Sequence, residues 1–429
     1  MMTVTLIALT VFCHFANLPL IIPFLVFLFG LHLFYYKKAP ARVFLHLTFL
    51  LVLLMFTAHA IKSYAVLSPF YLPIASVAML TMLLFNDMQL VFMMAFMSCA
   101  LSGLMMNFSL SEMLIFFMGS LAGAYKLKEA RTRGAILAAG LLVAFVQVVG
   151  FFLVEPLTSD VVGYVLRPLA VNGFTAGLVV MVSLKVFESL FGEVTNFTLL
   201  ELSDSSQPLL KRMVVEAPGT YHHSLIVSNL AETAADAIGA NALLVRVGAY
   251  YHDIGKMVKP EYFTENQIVM GNKHDQLEPS MSRLVILNHV KEGVELAQKH
   301  RLNQKIIDFI PQHHGTSLIH YFYQKALAES ETEDVGEQDY RYPGPKPQTK
   351  ETAIVLLADS VEGATRALDE HTPQKIEDVV RKIINNKFID GQLDECNLTL
   401  REIDTIASIF MRVLSAMYHS RVKYPEQKG

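Results

Sequence analysis

Gly248-Ala249-Tyr250-Tyr251-His252-Asp253-Ile254-Gly255-Lys256 decides how the rest of this chain is read. The apolar residues before it, from Asn241 on, follow helical spacing. The run ends on an imidazole and a carboxylate side by side, and Gly255 stands where a C-terminal glycine stops a helix. A carboxylate at the end of an apolar run is headed for the interior, where it is costly unless paired or bound to a metal. Partners of the same kind occur elsewhere. His223, His289, His313, His314 and Asp359 sit next to apolar helical sequence rather than in polar loops, and Asp359 interrupts the run 353–361. Any one of them alone is weak evidence, since a lone helical histidine is usually a packed or surface residue. The conjunction carries the argument, and 11 of the 15 histidines lie after residue 220, so the bias belongs to this half of the chain.

Five imidazoles and two carboxylates exceed what one ion needs. With about six positions per octahedral ion, they suit two ions sharing a bridging carboxylate. Imidazole suits Zn, Fe, Mn, Ni or Cu, and carboxylate shifts the preference toward harder ions. Two ions about 3.5–4 Å apart can activate a hydroxide and clamp a phosphoryl group, so phosphate-ester hydrolysis is the natural chemistry. The cysteines, Cys13, Cys99 and Cys396, form no spaced pair, which excludes a disulfide framework, a cysteine zinc site and an iron–sulfur centre.

The surrounding sequence is helical. Thr372-Pro373 reads as an N-cap followed by proline at the first helical position. Ile376, Val379, Val380 and Ile383 follow at helical spacing. Thr399-x-x-Glu402 is a capping box that opens a helix carrying Ile403, Ile406, Phe410, Val413 and Met417. Tyr250 and Tyr251 read as core. Few stretches alternate with period two, so the domain is all-α. The acidic segment 329–339 runs into Arg341-Tyr342-Pro343-Gly344-Pro345-Lys346-Pro347, whose prolines exclude a helix.

The first part of the chain is different. Residues 1–190 hold 16 charged side chains and the other 239 residues hold 58, so the former are too apolar for a water-soluble domain. Crossing a bilayer takes about 17–25 apolar residues per helix. Spans are expected at 18–36, 43–61, three within 71–125 broken near Asn86-Asp87 and 107–112, then 135–153 and 169–186, about seven in all. Two of the three middle blocks are short, which leaves a re-entrant segment open. The basic loops Lys37-Lys38-Arg42 and Lys126-Lys128-Arg131-Arg133 belong in the cytoplasm, and two further crossings return the chain there. Residues 1–17 lack a basic start and a cleavage site, and are expected to extend the first helix or lie at the interface. His32, His46, His59 and Arg167 have no evident pairing, which speaks against a carrier. The domains expected are a transmembrane region at 1–190, a connector at 191–216 and an all-helical hydrolase domain at 217–425. A net charge of −4 without a dense basic stretch argues against a nucleic-acid polymer as partner.

The motifs resemble a known family. His223-Ser224, His252-Asp253-Ile254-Gly255-Lys256, His289, His313-His314-Gly315 and Asp359 are similar to the HD phosphohydrolase superfamily. Ala217-Pro218-Gly219-Thr220-Tyr221-His222-His223-Ser224, the stretch 248–256 and Tyr342-Pro343-Gly344-Pro345-Lys346-Pro347 resemble the seven-transmembrane HD proteins, the PgpH family. That resemblance implies a bacterial multi-pass membrane protein with a cytoplasmic domain that hydrolyses cyclic di-AMP to linear pApA with two divalent metal ions, often iron or manganese. It implies that His223, His252, Asp253 and Asp359 hold one ion. Asp253 bridges to a second, held by His289, His313 and His314, and His222 stands outside the ligand set. All seven positions are occupied. The family usually carries a long extracytoplasmic domain before the spans, and a first span near Leu18 leaves no room for it here. The Gly-Tyr-Pro signature of cyclic-di-GMP-specific relatives is not found. In this frame Lys256 can act on the scissile phosphate or serve as a solvated helix-end lysine. Arg366 can bind the second phosphate or pair with Glu362. Tyr342 and Lys346 can meet the adenine and a phosphate, or belong to structural padding. The oligomeric state, a homodimer included, stays open. Rival readings are an HD hydrolase of another nucleotide phosphoester (cyclic di-GMP or an alarmone), a non-catalytic nucleotide-binding receptor, and a carrier with a regulatory domain.

Overall fold

The computed structural model describes residues 30, 41–64, 67–154, 162–267, 273–329 and 335–418. The chain divides into two compact units, Met1–Phe197 and Thr198–Gly429. Among the described residues both are helical, and the only β pairing is an isolated bridge between Leu318 and Arg341.

The first unit contains α1 (Ala41–Tyr64), α2 (Ala75–Phe85), α3 (Met88–Met106), α4 (Leu110–Leu127), α5 (Arg133–Phe152) and α6 (Arg167–Phe191). Among the described residues, five helical stretches are long and apolar enough to cross a membrane: Ala41–Ser63, Met88–Met106, Leu110–Leu127, Arg133–Phe152 and Gly163–Phe191. The span expected at 18–36 and the segment 1–17 lie outside the described residues, Gly30 excepted. The breaks fall where the sequence puts them. Asn86 and Asn107 end α2 and α3 in the left-handed conformation, with φ of 48° and 58°. Asp87 caps α3 through the Gln89 and Leu90 amides, and Ser109 with Glu112 forms a capping box on α4.

Helix α2 is short, in the region where the sequence left a re-entrant segment open. Its 11 residues rise about 16 Å, half of a bilayer core of about 30 Å. The irregular backbone before it is satisfied from inside the protein: Asn172 of α6 donates to the carbonyls of Phe70 and Leu72, at 3.1 and 2.5 Å. Irregular backbone within a bilayer is tolerated only where protein covers it in this way. Helices α5 and α6 pack backbone to backbone. A Cβ on Gly173 would stand 2.2 Å from the Ala144 nitrogen, and one on Gly140 would stand 2.6 Å from the Gly173 oxygen. Two crossings separate the basic loop between α4 and α5 from the end of α6, so the second unit emerges on the cytoplasmic side.

The second unit contains α7 (Pro208–Glu216), α8 (Pro218–Ala237), α9 (Ala242–Tyr251), α10 (Pro279–Lys299), α11 (His320–Glu329), α12 (Lys350–Arg366), α13 (Pro373–Ile389) and α14 (Leu400–Met417). Its core joins Val227, Leu230, Ala231 and Ala234 of α8 to Val245 and Ala249 of α9, Ile376 and Val380 of α13, and Ile406, Phe410 and Leu414 of α14. Helix α12 runs through the middle. Ala353, Ile354, Val355, Leu356, Leu357 and Ala358 are all 0% exposed, so the helix is apolar on every side and delivers Asp359 from within the core. Thr372 and Thr399 cap α13 and α14, the latter with Glu402 in a full capping box.

Gly255 corrects the sequence reading. It lies inside a 3-10 turn, Ile254–Val258, and is not among the residues of positive φ. Its constraint is contact: a Cβ there would fall 1.8 Å from the His289 carbonyl oxygen and 2.6 Å from the Gly293 nitrogen. Glycine is needed because the His252-Asp253 turn and α10 touch through their backbones.

Candidate metal centre

The seven sequence-singled residues are delivered by five pieces of the helical frame. His223 comes from α8, and His252 with Asp253 from the end of α9. His289 is on α10, His313 and His314 follow the single-turn helix Phe309–Gln312, and Asp359 is on α12. All seven converge. His223, His252, Asp253 and Asp359 form one group whose donor atoms lie within 4.8 Å of one another. Asp253, His289, His313 and His314 form a second, so Asp253 is common to both.

The Asp253 carboxylate is the hinge of this arrangement. Its Oδ1 lies 3.4 Å from both His289 Nε2 and His313 Nε2. Its Oδ2 lies 3.3 Å from His252 Nε2 and 3.7 Å from His223 Nε2. Asp359 Oδ1 lies 2.9 Å from His223 Nε2, and its Oδ2 lies 3.9 Å from His314 Nδ1.

The other ring nitrogens are fixed from behind. Nδ1 of His252, His289 and His313 faces the carbonyls of Ala249, Ile286 and Ile310, at 2.7, 2.5 and 2.6 Å. A carbonyl there accepts a hydrogen bond from Nδ1–H, which keeps the proton on Nδ1 and leaves Nε2 as the lone-pair nitrogen of the neutral ring. His223 Nδ1 faces Glu362 Oε2 at 2.6 Å. This backing of ligand histidines by carbonyls and carboxylates is how metal sites orient imidazoles. Nε2 of His252, His289 and His313 and both oxygens of Asp253 are buried without a hydrogen-bond partner. Lys256 Nζ comes within 2.6 Å of Asp253 Oδ2, as an ion pair. Orphaned buried lone pairs of this number are costly unless a cation collects them, so the residues present fit a pair of divalent ions.

The electrostatics point the same way. Burial opposes ionisation of Asp253, but Lys256 and His252 outweigh it and hold the carboxyl well below its usual range. Asp359 is also held well below its usual range against burial, chiefly by His223 and His252. Burial also opposes the charge on His252, yet Asp253 and Asp359 push it up to about 10. His289 moves down to about 4, because burial outweighs the pull of Asp253. Two ionised, buried carboxylates thus demand positive charge among the imidazoles, a demand that a divalent cation meets.

Lys256 is enclosed by Asp253 and by Glu265, whose Oε1 lies 3.0 Å from its Nζ. Burial opposes the ammonium, but these carboxylates raise its pKa. Tyr342 stacks on His314 with ring centroids 4.1 Å apart and planes 20° from parallel. Lys346 Nζ lies 3.5 Å from Asp394 Oδ2. Arg366 donates to Glu362, and its Nη2 lies 3.2 Å from His223 Nδ1, so its guanidinium stands behind His223 rather than among the converging atoms.

Comparison with known proteins follows the same division of the chain. The family described as a 7TM receptor with intracellular HD hydrolase matches residues 6–195, and the HD domain family matches residues 220–364. The cyclic-di-AMP phosphodiesterase PgpH of Bacillus subtilis (strain 168) is 39% identical over 369 residues, covering 83% of this chain and 51% of that protein. This chain belongs to the PgpH-type family of seven-transmembrane HD proteins. PgpH of Listeria monocytogenes serotype 1/2a (strain 10403S) is 41% identical over 367 residues, 84% of this chain and 51% of that one. The chain therefore spans about half the length of the curated relatives it matches. The crystal structure of the L. monocytogenes PgpH HD domain in complex with cyclic-di-AMP is 51% identical and covers 50% of this chain and all of that one, with a TM-score of 0.49.

In this PgpH-type chain, two carboxylates that sequence reasoning gave no part in the centre stand against it. Glu362 was named only as a partner for Arg366, although its spacing of three from Asp359 puts both on one helix face. Glu265 lies in a string of single turns, Pro260–Tyr262 and Thr264–Asn266, where no periodicity marks a buried residue.

Proposed function

We propose that this chain is a membrane-anchored, metal-dependent phosphodiesterase that hydrolyses cyclic di-AMP to linear pApA. The observation that carries the reading is the sharing of Asp253 between two four-residue groups in which His252, His289 and His313 bury Nε2 without a hydrogen bond. The names of the two PgpH relatives supply the substrate class. In this reading His223, His252, Asp253 and Asp359 hold one cation, and Asp253, His289, His313 and His314 hold the other. The mixed imidazole and carboxylate set, without sulfur, favours iron or manganese. When bound, such a pair supplies Lewis acidity and makes water acidic enough to serve as a nucleophile at neutral pH.

The protein's own groups do the positioning. Lys256, kept charged by Asp253 and Glu265, is placed to bind a non-bridging oxygen of the scissile phosphate and to offset the charge that develops there. The Tyr342 ring, stacked against His314, offers a face at the edge of the centre on which an adenine can rest. Lys346 stands further out on the same proline-rich loop. Arg366 acts through Glu362 and His223 rather than by touching substrate. The test is turnover by the full-length protein in lipid nanodiscs, loaded with Mn²⁺ or Fe²⁺. Release of pApA from cyclic di-AMP in preference to products of cyclic di-GMP or an alarmone is expected. No turnover of cyclic di-AMP, or a preference for another of the three, would overturn the proposal.

A further inference from the structure

Four cations near the centre have carboxylate partners. Lys256 has Asp253 and Glu265, Lys346 has Asp394, Arg366 has Glu362, and Arg341 has Glu337 and Asp390. Lys387 of α13 differs. No ion pair among the described residues involves it, and the partner of its Nζ is the buried hydroxyl of Ser317, at 2.7 Å. Its nearby acids are already engaged: Asp390 accepts from Arg341 and Gln392, and Asp359 faces His223. Burial pulls the Lys387 ammonium below its usual pKa, against the fields of Asp359 and Asp390. Lys387 is half-buried, so its ammonium is partly stripped of water yet can still be reached by an arriving anion.

The position says which anion. Ser317 closes the turn that carries His314: its amide donates to the His314 carbonyl at 3.1 Å, and its carbonyl accepts from the Tyr342 amide at 3.0 Å. The Lys387 ammonium is therefore anchored to Ser317, whose backbone ties the His314 turn to Tyr342. We propose that Lys387 is a specificity-determining residue that binds the second, non-reacting phosphodiester of a cyclic dinucleotide while the first lies over the cation pair. The inference rests on the proposed phosphodiesterase reading and adds to it a reason to prefer substrates with two anionic phosphates.

The experiment compares two substrates on the full-length, Mn²⁺-loaded protein: cyclic di-AMP, and cyclic di-AMP with one phosphate replaced by an uncharged methylphosphonate. A charge-assisted hydrogen bond to phosphate corresponds to about tenfold or more in affinity. Wild type should show a KM for the analogue about tenfold above that for cyclic di-AMP. Lys387→Met should raise the KM for cyclic di-AMP by a similar factor and leave the analogue unchanged, and Lys387→Arg should restore the difference. Equal KM values for the two substrates in wild type overturn the inference without any variant, as does a Lys387→Met effect that is equal on both or absent on cyclic di-AMP. Failure of wild type to hydrolyse cyclic di-AMP is a separate result: it refutes the phosphodiesterase reading before Lys387 is touched, and the inference falls with it.

Discussion

Glu362 offers the sharpest test of how the helical frame tunes the centre. Its carboxylate is fully buried and sits between His223 Nδ1, at 2.6 Å, and the Arg366 guanidinium. Glu362→Gln keeps the volume and one acceptor oxygen but removes the charge that backs the imidazole. Loss of such a backing interaction weakens metal binding by about 10–100-fold, or about 1.4–2.7 kcal/mol. Because glutamine still accepts from His223, the lower end is expected, with little change in thermal stability. Glu362→Ala removes both acceptors. Breaking a buried ionic contact costs about 3–5 kcal/mol. Arg366 is 38% exposed, so water takes over part of its solvation and the cost should fall toward about 3 kcal/mol. The assay is a competition titration with Mn²⁺ and a chelating dye, run beside thermal unfolding on the full-length protein. A Glu362→Gln protein that binds Mn²⁺ as tightly as wild type would refute the claim that this carboxylate orients His223.

Two other expectations concern separate parts of the chain. Gly173→Val should drive α5 and α6 apart, because its Cβ would stand 2.2 Å from a backbone nitrogen and 2.5 Å from the Gly140 oxygen, neither of which can swing aside; a loss of about 1–3 kcal/mol is expected, read as a lower melting temperature in detergent, with Gly134→Ala, which meets nothing within 4 Å, as the unchanged control. Glu402 is held at about 2 by hydrogen bonds from Lys350 and the Thr399 amide. A carboxylate depressed on folding contributes stability above its ordinary value of 4.5 and loses it as pH falls toward about 2. Glu402→Gln should therefore flatten the fall in melting temperature across that window, and an unchanged slope would contradict the assignment.

Much of this architecture is legible in the sequence because the signals are local. Thr372-Pro373 and Thr399-x-x-Glu402 satisfy helix-end amides within a single turn, and both helices begin where those residues stand. Asn86 and Asn107 tolerate the left-handed conformation, so the breaks in the membrane unit were readable too. The seven histidine and aspartate positions could be singled out because polar residues next to fully apolar runs have to be explained. What escaped depends on contacts between distant segments. Gly255 looks like a helix stop, and only the approach of α10 shows why no Cβ fits. Lys387 looks like an ordinary lysine at a helix C-terminus, where a positive charge is favoured anyway. Only the fold brings Ser317, 70 residues earlier, to its ammonium. Hydropathy already marks a short block in the α2 region, but only the fold shows Asn172 supporting the irregular backbone before it.

The central claim, that Asp253 joins two cations into one hydrolytic centre, is tested most directly by measuring bound metal and cyclic-di-AMP turnover together in the full-length protein and in Asp253→Ala. Two divalent ions per chain in wild type are expected, with both metal content and turnover lost in the variant. An Asp253→Ala protein that keeps its metal and its full rate would contradict the account.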